Sequence, residues 1–510
     1  MNDRTVNFID TTCRDGVQSL WALQATHGMF DAVAGELDQA GFSRMEILQY
    51  GGYFKMVVRV LKEDPWATLR MWKEKTPHTP KVELCLGAGS TTMDLFGRPE
   101  PLALAQLWHR TTIAANGASY VHLIACTTDE VKDRYPSWIP FFRSLGLKIV
   151  IQPAYTVSPR HTDEYYAGVV RDVLKYEPDA IAIKDACGLL TPERTRSLTR
   201  AMIDAANGIP IELHTHCTTT FAPACFVEAM QQGVRTFWTC VPPLAYGSSH
   251  PSIFDAIHNA QVLGFETTIN EKPLRIVEER LTRIAKLEGL PIGAPEPYDH
   301  RQYVHSVPGG VISNLRLQLQ TLGMAHKLDA VLDEVPRITA ELGYPIMITP
   351  HSQFIVAQAA VNVATGERYK DVLDSMTEFA LGVYGIEDAG VPYMDQNLKD
   401  RFLSTPRAKQ IARDWERQKQ EYEQLTVKQI RARHGMLQAS DEDFLLYYIM
   451  KGDEEIRQMR AAGPPQTYYT GNEPLGLLLK ELSKHRDVSR LHMQKGSSVF
   501  DFRRAASRGG

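Results

Sequence analysis

The sequence has no excess of either charge. Its 56 lysines and arginines nearly balance 60 aspartates and glutamates, for a formal net charge of -4, so the basic footprint of a nucleic-acid binder is missing. Small molecules or other proteins are the partners that remain. No apolar run reaches 18 residues, which argues against a transmembrane helix, and the opening MNDRTVNFID lacks the basic-then-apolar plan of a signal peptide. A soluble, cytoplasmic chain is expected. Cysteine is sparse: seven residues lie scattered without CxxC spacing, which argues against a disulfide framework and a structural zinc site and favours reduced thiols. Low-complexity segments are missing too.

What is present is ample apolar content, 44% of 510 residues, enough for two packed domains and a short tail. Up to about Ala245, short β-branched runs alternate with longer helical stretches, the pattern of repeated βα units around a parallel sheet. The runs are VNFIDTT from Val6, RMEILQ from Arg44, VELCLG from Val82, YVHLIA from Tyr120, KIVIQPAY from Lys148, AIAIKDA from Ala180, IELHTH from Ile211 and VRTFWTCV from Val234. Eight is the count for a closed (β/α)8 TIM barrel; a doubly wound open sheet gives no reason for it. Between the runs lie helix candidates such as THGMFDAVAGELDQAG, where Phe30, Val33 and Leu37 share a face.

Beyond about Asn270 the strand signal fades into amphipathic helices such as KPLRIVEERLTRIAKLEG and AKQIARDWERQKQEYEQLTVKQIRARHG. GLPIGAPEPYDH, rich in proline and glycine, is the natural connection. The expected organisation is a barrel domain over 1–280, a mainly helical domain over 281–480, and a polar, frayed tail over 481–510.

In a barrel of this type the active site forms at the C-terminal ends of the strands. DTTCRDGVQ ends the first run, KDACG the sixth and HTHC the seventh, which places Asp15, Lys184, His214 and His216 at that end. His214 and His216 are two apart on a strand and point to one face. With a carboxylate from another strand they form a plausible nitrogen and oxygen site for Zn, Mn or Co; alone, an HxH pair is also found as surface or hydrogen-bonded histidines. Lys184 follows the apolar AIAI, so its amine is expected near the barrel mouth and partly out of water. A desolvated lysine has a lowered pKa, and a neutral amine can take up carbon dioxide as a carbamate, an anionic metal ligand. Pairing with Asp185 or extension to solvent is the plainer alternative.

DTTCRDGVQSL, KEDPWATLR, AYTVSPRHT, AIKDACGLLTP, ELHTHCTTT, PGGVISNL and ITPHSQ occur in this order between about Asn7 and Gly463. Together they resemble the carboxyltransferase component of biotin-dependent enzymes, the group of pyruvate carboxylase, the oxaloacetate decarboxylase alpha subunit and the keto-acid subunit of methylmalonyl-CoA transcarboxylase. The resemblance implies one divalent metal held by Asp15, His214, His216 and a carboxylated lysine (N6-carboxylysine) at Lys184. It implies that Arg14 and Gln18 line a keto-acid pocket, and that Thr349 shuttles a proton between biotin and the enol. The second domain then becomes a helical funnel that admits biotin and contributes Thr349; read without the resemblance, that threonine is a loop or capping residue before Pro350. A homodimer is also implied.

The pattern departs in places. Leu86 stands where the family has an arginine that grips the substrate carboxylate, and His122 and Ala125 replace an arginine and an aspartate on the fourth strand. Arg98 or Arg160 is a candidate to compensate, so the acceptor and the direction of transfer are left open. Cys217, after the histidines, reads as a small polarizable filler rather than a ligand. No biotin-attachment segment is visible; YIMKGDEE around Lys451 lacks the alanine-methionine-lysine-methionine core and reads as helix. Biotin is therefore expected on a separate biotin carboxyl carrier protein, charged by a biotin carboxylase subunit. The RDG and HxH motifs also resemble 3-hydroxy-3-methylglutaryl-CoA lyase and isopropylmalate synthase, which makes a biotin-independent lyase or Claisen-type synthase the alternative. Lys184 and ITPHSQ speak against it. A scaffold with a decayed pocket is a third reading, prompted by Leu86 and Ala125.

Overall fold

The structure is a computed structural model that describes residues 4–86, 100–125, 128–386, 390–468, 470, 485, 488, 490–495 and 498–503. Eight parallel strands close into a barrel in chain order: β1 (Asn7–Asp10), β2 (Arg44–Glu46), β3 (Lys81–Leu86), β4 (Ala118–Ala125), β5 (Lys148–Pro153), β6 (Ala180–Asp185), β7 (Ile211–Thr215) and β8 (Thr236–Thr239). All eight expected runs contribute a strand. Closure is made by β1 against β8, with Phe8 opposite Phe237 and Asp10 opposite Thr239. Lys184 lies opposite His214 across β6 and β7, so alternation along the two strands turns both side chains inward.

The intervening helices start where the sequence supplies caps. Asp64, Thr162, Thr191 and Ser252 each accept a backbone N–H of the first turn, and proline follows Asp64 and Thr191. The helix expected through THGMFDAVAGELDQAG is instead two, His27–Asp31 and Ala34–Asp38. Gly28 and Gly35 weaken that stretch as continuous helix, and a Cβ on Gly28 would meet the Gln466 carbonyl oxygen at 1.9 Å. The long helical pattern near the C-terminus also divides, into Pro406–Gln424 and Val427–Arg433, because Thr426 and Gln429 form a capping box.

The barrel interior is layered. At the N-terminal end Arg44 pairs with Glu212 at 2.6 Å, both buried, beneath the rings of Tyr120 and Trp238. Above them Glu46 accepts from Trp238 Nε1 and contacts His122 Nδ1 at 2.9 Å. At the mouth Val82, Leu84, Ile124 and Ala154 pack against Ile346 and Ile348 of the helical part, which fixes the two parts together. Residues 290–299 connect them without regular structure, yet they lie close on the barrel: Trp21 Nε1 donates to the Pro291 carbonyl, and Gly293 N donates to Pro243. A Cβ at Gly293 would meet the Ala245 oxygen at 2.0 Å.

Two expectations need correction. Lys451 is not within a helix; it follows the helix Asp441–Met450 in the left-handed region, φ 58°, and starts a turn. The polar tail is not frayed throughout, because Arg490–Lys495 (β9) and Ser498–Arg503 (β10) pair antiparallel, with Arg490 bound to Asp501. The alternation of LHMQ and VFDF allows a ladder that overall polarity conceals. No helix of the described residues is long and apolar enough to cross a membrane.

Candidate metal centre and substrate cavity

After β1 the chain makes a wide helical turn, Thr12–Gly16, capped by Thr11, whose hydroxyl accepts from Asp15 N. This turn carries Arg14 and Asp15 inward over the end of the barrel. Asp15 Oδ2 lies 3.4 Å from His214 Nε2, 3.4 Å from His216 Nε2, 3.3 Å from His250 Nε2 and 2.8 Å from Arg14 Nη1. Potential ligand atoms of Asp15, His214, His216 and His250 all fall within 4.8 Å of one another, and all four residues are buried. Burial works to raise the Asp15 carboxyl, but Arg14 and then His216 outweigh it and hold it well below the usual carboxylate range. His214 is pushed well below its usual range by burial and next by Lys184, and burial holds His250 down to about 4. An anionic carboxylate beside the neutral imidazoles of His214 and His250 is the protonation state a divalent cation requires.

His216 Nδ1–H donates to the Ser248 carbonyl at 2.7 Å, which fixes the ring with Nε2 toward Asp15. Lys184 Nζ is 3.2 Å from His214 Nε2 and only 4% exposed. Its neighbour Asp185 faces the other way, accepting from Leu189 N, Leu190 N and Thr215 Oγ1. Extension of Lys184 to solvent is thus ruled out. Gly188 allows the loop after β6 to pass β7, since at φ +65° a Cβ would meet Thr218 Oγ1 at 2.1 Å and the His216 oxygen at 2.6 Å.

A cavity of about 140 Å³ opens beside the cluster, lined by Arg14, Asp15, Gln18, Lys184 and His216 from the barrel and by Thr349 from the helical part. Every site residue expected from sequence except the deeper His214 lines it. Leu84, Ile124 and Ile348 form its apolar wall. Gln18 is oriented by the Tyr50 hydroxyl, which donates to it at 2.8 Å. Arg14 is fixed by Asp15 and by Glu46, 2.8 Å from Nη2. Burial tends to raise Glu46, but Arg14 and His122 keep it below its usual range. His122, lowered to about 4 by burial, is neutral and belongs to this support beneath the cavity.

Arg160 does not line the cavity; it donates to the Gly343 carbonyl and stacks on Tyr393, so it does not replace the missing carboxylate grip. Arg98 lies outside the described residues, as do the side chains of Leu86 and Ala125 at the ends of β3 and β4. Cys217 is buried and outside the ligand cluster. Sequence reasoning missed His250, Glu46 and Tyr50. His250 follows β8 and was open to the same strand-end test that singled out Asp15, whereas Glu46 and Tyr50 gave no comparable signal.

A family model described as HMGL-like matches residues 5–280, and one described as conserved carboxylase domain matches residues 303–473. The chain is 30% identical over 427 residues to a pyruvate carboxylase subunit from Methanocaldococcus jannaschii, covering 82% of this chain and 73% of that one. It is 26% identical over 472 residues to the methylmalonyl-CoA carboxyltransferase 5S subunit of Propionibacterium freudenreichii, covering 90% and 89%. The fold matches that of the carboxyl transferase domain of Rhizobium etli pyruvate carboxylase, solved with oxamate and biotin, at a TM-score of 0.77 and 21% identity over 91% of this chain and 79% of that one.

Proposed function

Because this chain belongs to the carboxyltransferase family of biotin-dependent carboxylases, we propose that it moves a carboxyl group between carboxybiotin on a separate carrier protein and a small keto acid. The observation that carries this reading is the shared cavity, where Thr349 of the helical part faces Arg14, Lys184 and His216 of the barrel. Asp15, His214 and His216 fit one divalent ion, Zn, Mn or Co, with a carboxylated Lys184 as a further ligand. When bound, the ion supplies Lewis acidity toward the acceptor carbonyl.

The chain's own residues do the rest. Arg14 and Gln18 orient the keto acid, and the Arg14 guanidinium stabilises the oxyanion that develops when the carbon beside the carbonyl loses its proton. The Thr349 hydroxyl passes that proton to the biotin nitrogen as the N–carboxyl bond breaks and carbon dioxide is released. The enolate carbon then bonds to carbon dioxide, so one C–N bond and one C–H bond are exchanged for one C–C bond and one N–H bond. The apolar wall of Leu84, Ile124 and Ile348 keeps water from the enolate and from carbon dioxide. A carrier protein and a biotin carboxylase subunit are the matching partners, in a cytoplasmic assembly built on a homodimer of this chain.

The barrel alone also suits a lyase, since residues 5–280 match the HMGL-like model. The carboxylase match over 303–473 and the buried Lys184 favour carboxyl transfer. The test is transfer from free carboxybiotin to a panel of 2-keto acids and acyl-CoAs. A keto acid is expected to accept; cleavage of an acyl-CoA without biotin would favour the lyase.

A further inference from the structure

His250 has no task in the chemistry above, yet it is as deeply placed as any residue of the cluster. Its ring is fully buried and its centroid lies 4.3 Å from those of both His214 and His216. Its only ring hydrogen-bond partner among the described residues is Asp15, and Nδ1 has none. Three imidazole Nε2 atoms and Arg14 Nη1 therefore converge on one carboxylate oxygen. That is more than an oxygen can accept as hydrogen bonds, and the imidazole distances of 3.3 to 3.4 Å exceed the roughly 2.7–2.9 Å of a charge-assisted bond. They match instead the edge of a coordination tetrahedron, about 3.3–3.4 Å for bonds of about 2.0–2.1 Å.

We infer that His250 is a third imidazole ligand of the divalent ion. The protein donors are then Asp15, His214, His216 and His250, and a carboxylated Lys184 adds to this set rather than completing it. The inference rests on the metal reading above and extends it. The loop that carries His250 is built to hold it in place: Tyr246 N donates to the His250 carbonyl, Cys217 N to Ser249, and Ser249 Oγ to the Leu244 carbonyl. A ligand needs such fixation. A histidine that merely hydrogen-bonds Asp15 would still leave the Nε2 atoms of His214 and His216 crowded against the same buried oxygen.

The test is reconstitution of the metal-free full-length protein with Co2+, read by proton NMR in water. Each ligating imidazole contributes one contact-shifted, exchangeable N–H signal. Three signals are expected, one of them lost in His250→Gln, together with at least a 100-fold weaker Co2+ affinity. Two signals from the wild-type protein would overturn the inference while leaving the metal site standing. If Co2+ does not bind at all, the metal reading fails and this inference with it. The wild-type count decides the matter even if His250→Gln does not fold.

Discussion

Thr349 and Lys184 reach one cavity from different halves of the chain, and their roles separate experimentally. Thr349→Ala removes the proposed proton relay and no proposed ligand, so transfer is expected to fall by about 100-fold or more while bound metal, measured by elemental analysis, stays at the wild-type level. Loss of metal along with activity would make Thr349 structural. His122 and His351 give a pH prediction. Burial lowers both to about 4 from an ordinary 6.5, so the unfolded chain binds more protons between these values. The stability they contribute is present above about pH 6.5 and is lost as pH falls toward 4, on the order of a few kcal/mol. The melting temperature should fall over that range, and His122→Gln should flatten the slope. At this scale Asp15, Lys184, His214 and His216 were legible because strand ends select inward-facing residues. Glu46 was not: its importance comes from Arg14, His122 and Trp238 meeting it from three other segments, and no local pattern encodes such a meeting.

Among the elements, the loop after β6 bears most directly on the centre. Gly188→Ala would force a Cβ toward the His216 carbonyl in a left-handed backbone, and is expected to cost about 1–3 kcal/mol. Because the displaced strand end carries a proposed ligand, bound metal should fall as well; denaturant melts and elemental analysis measure the two effects separately. Unchanged values in both would show that the loop relaxes freely. Strands were legible as elements since each apolar run is bounded by turn signals, but their ends were shorter than the runs: RMEILQ yields only Arg44–Glu46. Helix interruptions were harder to see. Thr426 and Gln429 did carry a capping signature, whereas the close crossing of Gly28 by the segment at Gln466 is something no window of sequence could reveal.

For the whole molecule, the contact between barrel mouth and helices ties stability to coupling. Ile348 packs with Val82, Leu84 and Ile124 and also walls the cavity. Ile348→Ala should cost about 2–4 kcal/mol and admit water, so carboxybiotin should lose carbon dioxide without transfer to the acceptor. The ratio of product formed to carboxybiotin consumed measures this; a ratio equal to wild type would separate the wall from water exclusion. That a barrel and a helical domain follow one another could be read from periodicity, but not that Ile346 and Ile348 would close over the first.

Beneath all of this the barrel floor is plugged by Arg44 and Glu212, with Tyr120 and Trp238 stacked on the guanidinium. The reaction chamber is therefore a cul-de-sac. Whatever enters last leaves first, and a carrier arm lowered into the mouth acts as a stopper above the acceptor already inside. Steady-state kinetics should accordingly show compulsory order, with the keto acid binding before the arm and its product departing only once the arm has withdrawn.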